Sequence, residues 1–120
     1  MNEGAAAWDG DVVRTWLERR AASARRDQAA ADRRGYDAQA DYDTAAAEEW
    51  VCRTLLGDGH ADDRTAFAAQ IKTLLAQEEF WTTGVHDDRR FDRSVRAHLR
   101  RIAKMTKTGE GFANTLHYRA

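Results

Sequence analysis

A regular spacing of small residues constrains the fold of this chain more than any other feature of its sequence. Between residues 17 and 56, a set of mostly small or apolar side chains, interrupted by Gln28 and Glu49, recurs in alternating steps of four and three. The positions are Leu17, Ala21, Ala24, Gln28, Ala31, Gly35, Ala38, Tyr42, Ala45, Glu49, Cys52 and Leu56. This heptad spacing, a seam filled mainly with Ala over residues 11–56, predicts helices that pack closely along one face.

Gly35 leaves two forms of this region open. Arg33 and Arg34 before it and Asp37 after it are typical of one helix ending and another beginning, which predicts an α-hairpin. A glycine inside a helix costs only about 1 kcal/mol, however, and the spacing continues across it. The alternative is therefore one long helix that pairs with a second chain. In that case the protein would be a homodimer.

The composition favours an all-α fold. The chain has 120 residues and no proline, the residue that most strongly interrupts helices. We predict a small bundle of about four helices, over residues 9–34, 36–56, 62–82 and 87–107, in a single domain spanning residues 1–120. Residues 1–8 are expected to be a frayed N-terminus and residues 109–120 a C-terminal tail.

Aspartates mark the predicted starts of three helices, because their carboxylates accept from the free N–H groups of a first turn. The candidate caps are Asp9 or Asp11, Asp62 or Asp63, and Asp87 or Asp88. Among the large aromatic residues, the spacing predicts that Trp16, Trp50 and Trp81 are buried, whereas Trp8 is partly exposed. Tyr36 and Tyr42 are expected to need a covering helix.

The stretch 87–107 has two distinct faces. Its apolar face consists of Phe91, Val95, Leu99, Ile102 and Met105. On the opposite face lies a set that we call the cationic row, which consists of Arg89, Arg93, Arg96, Arg100, Lys104 and Lys107. From Arg89 to Lys107 there are eight Lys or Arg and one acid, and Arg101 adds a further charge beside the row. These seven basic residues are the candidate binding site.

A row of this kind suits an anionic partner. Neutralising phosphates releases their counterions, so the row is expected to bind the backbone of a nucleic acid, or an acidic protein, without reading sequence. Aromatic residues of the tail, Phe112 and Tyr118, are of a type that stacks on unpaired bases. The competing interpretation is that residues 37–63, with eight acids against Arg53 alone, cover the row within the chain.

Catalytic chemistry is not indicated. No Glu is followed by His at the spacing that a carboxylate metal site requires, and Asp58, His60 and Asp62 lack the later residues of a calcium loop. Cys52 is the only cysteine and lies on the seam, where a packing role is expected. We therefore predict no catalytic residue, metal or cofactor, and a protein that is not an enzyme.

Charge and hydropathy set the remaining expectations. The formal net charge is −1, which by itself favours no partner. No apolar run reaches the length of a membrane span and the N-terminus lacks a signal pattern, so we expect a cytoplasmic protein without a membrane partner. The alternative function is a structural or regulatory module that oligomerises through the Ala-rich seam.

Overall fold

Helices account for nearly all regular structure in the computed structural model, which describes residues 8–113. The helices are α1 (Gly10–Arg34), α2 (Gln39–Asp58), α3 (Arg64–Leu75) and α4 (Asp88–Thr108), and one 3-10 turn (Gly35–Ala38) joins α1 to α2. Within the described range there is no strand. The prediction of a small all-α bundle is confirmed.

The first two helices form an antiparallel hairpin. The chain reverses at the 3-10 turn, where Gly35 has a φ of +82° that favours glycine. Next to the turn, Arg34 Nη2 lies 2.5 Å from Asp41 Oδ2. Further along the pair, Gln28 Nε2 donates to Glu49 Oε1 at 2.6 Å. Contacts between residues this far apart in sequence require reversal, so the chain adopts the hairpin form of the two predicted alternatives.

The Ala-rich seam is the contact between these two helices. Its small residues are almost inaccessible to solvent, namely Ala21, Ala24, Ala31, Ala38 and Ala45. Because α1 covers the seam of α2 and α2 covers that of α1, the chain closes this surface by itself. The long-helix form, in which a second chain would have covered the seam, is not the one observed.

Aspartate caps start three of the helices. Asp9 accepts from the N–H of Asp11 at 2.9 Å, and Asp87 accepts from the N–H of Arg90 at 3.0 Å. Asp63 accepts from the N–H of Ala66 at 3.1 Å. Each of these caps belongs to one of the predicted pairs of candidates, and their carboxylates satisfy N–H groups that a first turn leaves free.

The core lies where the hairpin meets α3 and α4. Its largest fully buried side chains include Leu17, Leu55, Phe67, Ile71, Phe91, Leu99 and Ile102. The predicted apolar face of α4 is confirmed, since four of its five members are buried and Met105 is half-buried. An amphipathic helix with this pattern is stabilised chiefly by burying that face against its neighbours.

The third helix is shorter than predicted. It ends at Leu75 instead of continuing to residue 82. Arg96 of α4 accounts for the difference, because its guanidinium binds the carbonyl oxygens of Leu75, Gln77 and Glu78 at 3.0, 2.7 and 3.0 Å. These oxygens find their hydrogen-bond partner on another helix, so the chain leaves the helical path without exposing unsatisfied groups.

Two aromatic predictions are wrong. Trp81 is 66% exposed, and its neighbour Phe80 is buried in the place where we expected the indole. Tyr36 is 85% exposed beside the hairpin turn, with no helix covering it. The expectations for Trp16, which is buried, and Trp8, which is partly buried, are confirmed.

The start of the predicted tail packs onto the bundle. Phe112 is buried, and its ring centroid lies 5.6 Å from that of Trp8 and 5.4 Å from that of Trp16. It is therefore not available to stack on a base. The other predicted tail residues, including Tyr118, and residues 1–7 lie outside the described residues. None of the helices in the described part combines the length and hydropathy that a membrane span requires.

Candidate anion-binding surface

Five members of the cationic row point into solvent. These exposed residues are Arg89, Arg93, Arg100, Lys104 and Lys107. At 3.6 residues per turn they fall within a sector of about 60° on the surface of α4 and extend along it for roughly 27 Å. The fold therefore presents them as one continuous stripe of positive charge, because the apolar face opposite them anchors α4 in the core.

Acids from the hairpin do not cover this stripe. Within residues 8–113, none of the five exposed cations forms an ion pair. Carboxylates of the segment 37–63 have other partners, in the pairs Asp41–Arg34, Asp43–Arg90, Glu48–Arg20, Glu49–Arg53 and Asp62–Arg14. Arg90 lies on α4 but is not a member of the row. The predicted internal pairing of the row with segment 37–63 is therefore not what the fold adopts.

The neighbouring helix α3 packs against α4. Arg64 at the start of α3 reaches the end of α4, where its Nε donates to the carbonyl of Thr106 at 2.8 Å. The end of α3 lies beside Arg96, so the two helices are antiparallel. By this register the exposed Lys72 lies level with the middle of α4 along the helix axis. Helix α3 contains no acid, and α4 contains none after Asp92.

Arg96 has a structural role, which corrects its predicted place among the free cations. Only 18% of its side chain is exposed, and its Nε pairs with Asp92 Oδ2 at 3.0 Å. Its guanidinium also lies over the ring of Phe80, 5.0 Å from the centroid, in addition to the three carbonyl contacts described above. A charge held by this many partners is not available for a ligand. The expectation that Arg96 projects freely from the core is wrong.

Arg101 is exposed beside the row, and its charge acts on two groups at the junction of α4 with the hairpin, His98 and Cys52. Burial lowers the pKa of His98 below its usual value, while Glu48 opposes this effect and Arg101 adds to it. Burial also raises the pKa of Cys52 to about 12, and the charge of Glu48 acts in the same direction. The Cys52 thiol is consequently protonated at neutral pH. Because only the thiolate is a good nucleophile, Cys52 is a poor nucleophile in the folded protein.

A buried carboxylate fixes the start of α4. Asp43 of α2 is completely inaccessible, and its Oδ2 accepts from Arg90 Nη1 at 2.9 Å. Its Oδ1 accepts from the backbone N–H of His86 at 2.8 Å and lies 3.0 Å from His86 Nδ1. Every polar atom of this buried group therefore has a partner, as buried charges require. The network holds the first turn of α4 against the hairpin.

Acids line the stripe where α4 begins. A groove of about 420 Å³ at the start of α4 is lined by Arg89 and Arg93 and by four carboxylates and two aromatic rings. Those additional residues are Glu78, Glu79, Asp88, Asp92, Phe80 and Trp81. Since Asp92 is paired with Arg96, the other three acids set the charge of this end. The remainder of the stripe, towards Lys107, has no acid in α4 beside it.

The sequence indicated the stripe but not the exposed Trp81, which lines the groove at its start. No signal in the sequence could have found it, since two adjacent aromatic residues at the end of a helix do not indicate which of them is buried. Across the described ranges, no three His, Cys, Asp or Glu side chains come together as metal ligands would.

Comparisons with known proteins identify no relative of this chain. No protein-family model matches the chain, and searches among curated proteins and solved structures also find no match. What the protein binds is therefore inferred from the charge, exposure and contacts of the residues described above.

Proposed function

We propose that this protein is a non-enzymatic binding protein that uses the exposed cations of α4 to engage the phosphate backbone of a nucleic acid. The observation that carries the proposal is the stripe of five exposed cations, none of which has an ion-pair partner in the described part of the chain. Elsewhere on the same molecule, exposed Arg such as Arg34 and Arg53 pair with nearby acids.

The spacing of the stripe suits a polyanion better than a single small anion. Its members follow one another along roughly 27 Å of helix, so no two or three of them surround one point. A polymer with regularly placed charges can contact several at once, and each neutralised phosphate releases condensed counterions. Helix α3, which packs against α4, contains no acid and therefore adds no repulsion to phosphates.

Recognition by this stripe would be independent of base sequence. Arg and Lys on a solvent-exposed helix face contact phosphates as charges, whereas sequence is read by side chains that enter a groove. An acidic protein would present carboxylates to the same stripe, and it is the version of the proposal that remains if nucleic acid fails to bind. The Ala-rich seam supports no separate oligomerisation function, since it is buried within the hairpin.

The test replaces Arg93 and Arg100 with Gln and measures binding to a labelled duplex oligonucleotide over a range of salt concentrations. Both side chains are exposed and unpaired in the described structure, so the fold should survive. Losing two phosphate contacts should lower the slope of log K against log salt by about 1.8 on a duplex and about 1.4 on a single strand. Arg96 is unsuitable for this purpose because of its contacts with the chain.

The matched control is the double change Arg26→Gln and Arg33→Gln on α1. It removes the same charge from exposed positions that lie on a different helix. If the α4 stripe is the binding surface, this control should keep the wild-type slope. Equal losses in the two double variants would show that overall charge alone drives binding. Absence of binding by the wild type at low salt would eliminate nucleic acid as the partner.

A further inference from the structure

The segment between α3 and α4 is held in place at two points. At the first, the backbone N–H of Phe80 donates to Asp92 Oδ1 at 2.9 Å, and Arg96 binds three carbonyls just before it. At the second, the buried Asp43 binds the backbone and the ring of His86. The few residues between these two points are therefore positioned by contacts on both sides, although they belong to no helix.

Trp81 lies between those two points and faces outwards. Phe80 inserts into the core, with its ring centroid 5.4 Å from that of Trp50. The side chain of Trp81, the next residue, points away from the core. The Trp81 side chain is 66% exposed, which is unusual for the residue with the largest apolar surface. An exposed indole on a constrained backbone loses little conformational entropy when it binds a partner.

The surroundings of Trp81 connect it to the cationic stripe. It shares the groove at the start of α4 with Arg89 and Arg93, the first two cations of the stripe. The carboxylates of Glu78, Glu79 and Asp88 line the same groove. A phosphate is attracted by the two arginines but repelled by the three acids, so the backbone contacts of a nucleic acid should reach Arg93 and Arg89 and not continue past them.

The carboxylates of this groove do not repel a base as they repel a phosphate. Bases are uncharged, and each has a flat face that stacks on an aromatic ring regardless of sequence. The acids that exclude phosphates do not exclude a base, and they can accept from the amino groups of its edge. In a duplex these faces are covered by the neighbouring base pairs, so only an unpaired base has one available.

We infer that Trp81 is a stacking site for an unpaired base, and that the protein consequently prefers single-stranded over double-stranded nucleic acid. The strand would follow the exposed cations of α4 with its phosphates and place a base on Trp81 where the acids begin. This inference rests on the proposed function, since it assigns the kind of nucleic acid that the stripe binds.

The experiment compares a single-stranded oligo-dT with a duplex that carries the same number of phosphates. Trp81→Ala should weaken binding of the single strand by about tenfold, which corresponds to the loss of one stacked base, and leave binding of the duplex unchanged. Trp81→Phe should retain part of the affinity, because a smaller aromatic ring still stacks. Tyr36→Ala, which removes the exposed aromatic residue beside the hairpin turn, is the matched control and should have no effect.

An abasic strand tests the stacking contact itself. It keeps the phosphates and lacks the bases, so wild type and Trp81→Ala should bind it equally. In addition, binding of oligo-dT should quench the tryptophan emission of the wild type, and the Trp81→Phe variant should lose this quenching. Melting curves of each variant establish that the protein remains folded.

The possible failures are distinguishable. If Trp81→Ala binds oligo-dT as tightly as the wild type while Arg93→Gln with Arg100→Gln loses affinity, the stacking site is wrong and the proposed function stands. An equal loss on oligo-dT, duplex and abasic strand would also overturn the stacking site, since it would show that Trp81 acts through the shape of the stripe. If the wild type binds none of the three probes, the proposed function itself is wrong.

Discussion

The α1–α2 hairpin and the α3–α4 pair differ in both the size and the charge of the side chains that hold them. In the hairpin, small Ala residues meet along the seam, and charges are matched across the two helices in pairs such as Arg20–Glu48 and Arg34–Asp41. In the α3–α4 pair, large side chains such as Phe67 and Leu99 are buried, and the five exposed cations of α4 form no ion pair within residues 8–113.

The difference indicates a division of roles between the two halves. The hairpin pairs several of its charges across its two helices and buries its own seam, so it serves as a scaffold for the core. In the α3–α4 pair, the apolar face of α4 is buried, whereas its opposite face is exposed and positively charged. Like charges in a row repel one another and do not stabilise the fold. Their presence without ion-pair partners is therefore better explained by a role in binding than by a role in folding.

The largest expected effect comes from the apolar side of α4. Replacing Leu99 with Ala should lower the free energy of unfolding by about 2–5 kcal/mol, because a fully buried side chain is removed and the surrounding atoms close the cavity only in part. Urea titration measures this loss. A change below about 1 kcal/mol would mean that α4 is not anchored by its apolar face, and the contrast with the Ala-rich hairpin would disappear.

A smaller effect should distinguish the two kinds of arginine within the cationic row. Arg96→Gln should lower the free energy of unfolding by about 1.5–3 kcal/mol, since carbonyls of the segment after α3 lose a charged donor. Arg100→Gln should stay within about 0.5 kcal/mol of the wild type, because its side chain is exposed and unpaired within residues 8–113. Denaturant titration of both variants under one condition is the measurement.

Equal stabilities of these two variants would contradict the structural role of Arg96. In that case Arg96 would return to the set of free cations, as the sequence alone had suggested, and the salt slope of Arg96→Gln should then fall by the same amount as that of Arg100→Gln. The comparison therefore tests the contacts of Arg96 and the composition of the stripe together.

The smallest effect is expected where the two halves meet. Burial lowers the pKa of His98, so the folded protein binds a proton there less readily than the unfolded chain does. Between pH 6.5, the usual value, and the lowered pKa, the unfolded chain holds more protons, so stability should fall on acidification through this window. His98→Gln should remove part of that loss, as measured by urea titrations between pH 7.5 and pH 5, values that bracket the ordinary pKa of about 6.5.

His60 provides the control for this pH dependence. It is exposed in the turn before α3, so His60→Gln makes the same substitution at a position that is not buried. If His98→Gln leaves the slope unchanged, the junction between the hairpin and α4 does not disfavour the protonated imidazole of His98. Burial at this contact would then be less complete than the structure indicates.

Much of the fold follows from local patterns. The helix α4, its Asp87 cap and its end at Gly109 are all readable from the sequence, because capping and amphipathic spacing depend on neighbours within a few residues. The cationic row was readable for the same reason. Its partners were not, since whether the acids of residues 37–63 reach the row depends on how the helices pack.

The sequence by itself determined that the fold is all-α, narrowed the start of three helices to pairs of aspartates, and placed the apolar and cationic side chains of α4 on opposite faces. Only the tertiary structure decided that the chain reverses at Gly35, that Arg96 is bound by the segment after α3, and that Phe80 is buried while Trp81 is exposed. Periodicity along a helix fixes faces locally. Contacts between residues distant in sequence, such as Asp43 with His86, depend on the relative placement of whole helices, which no local pattern encodes.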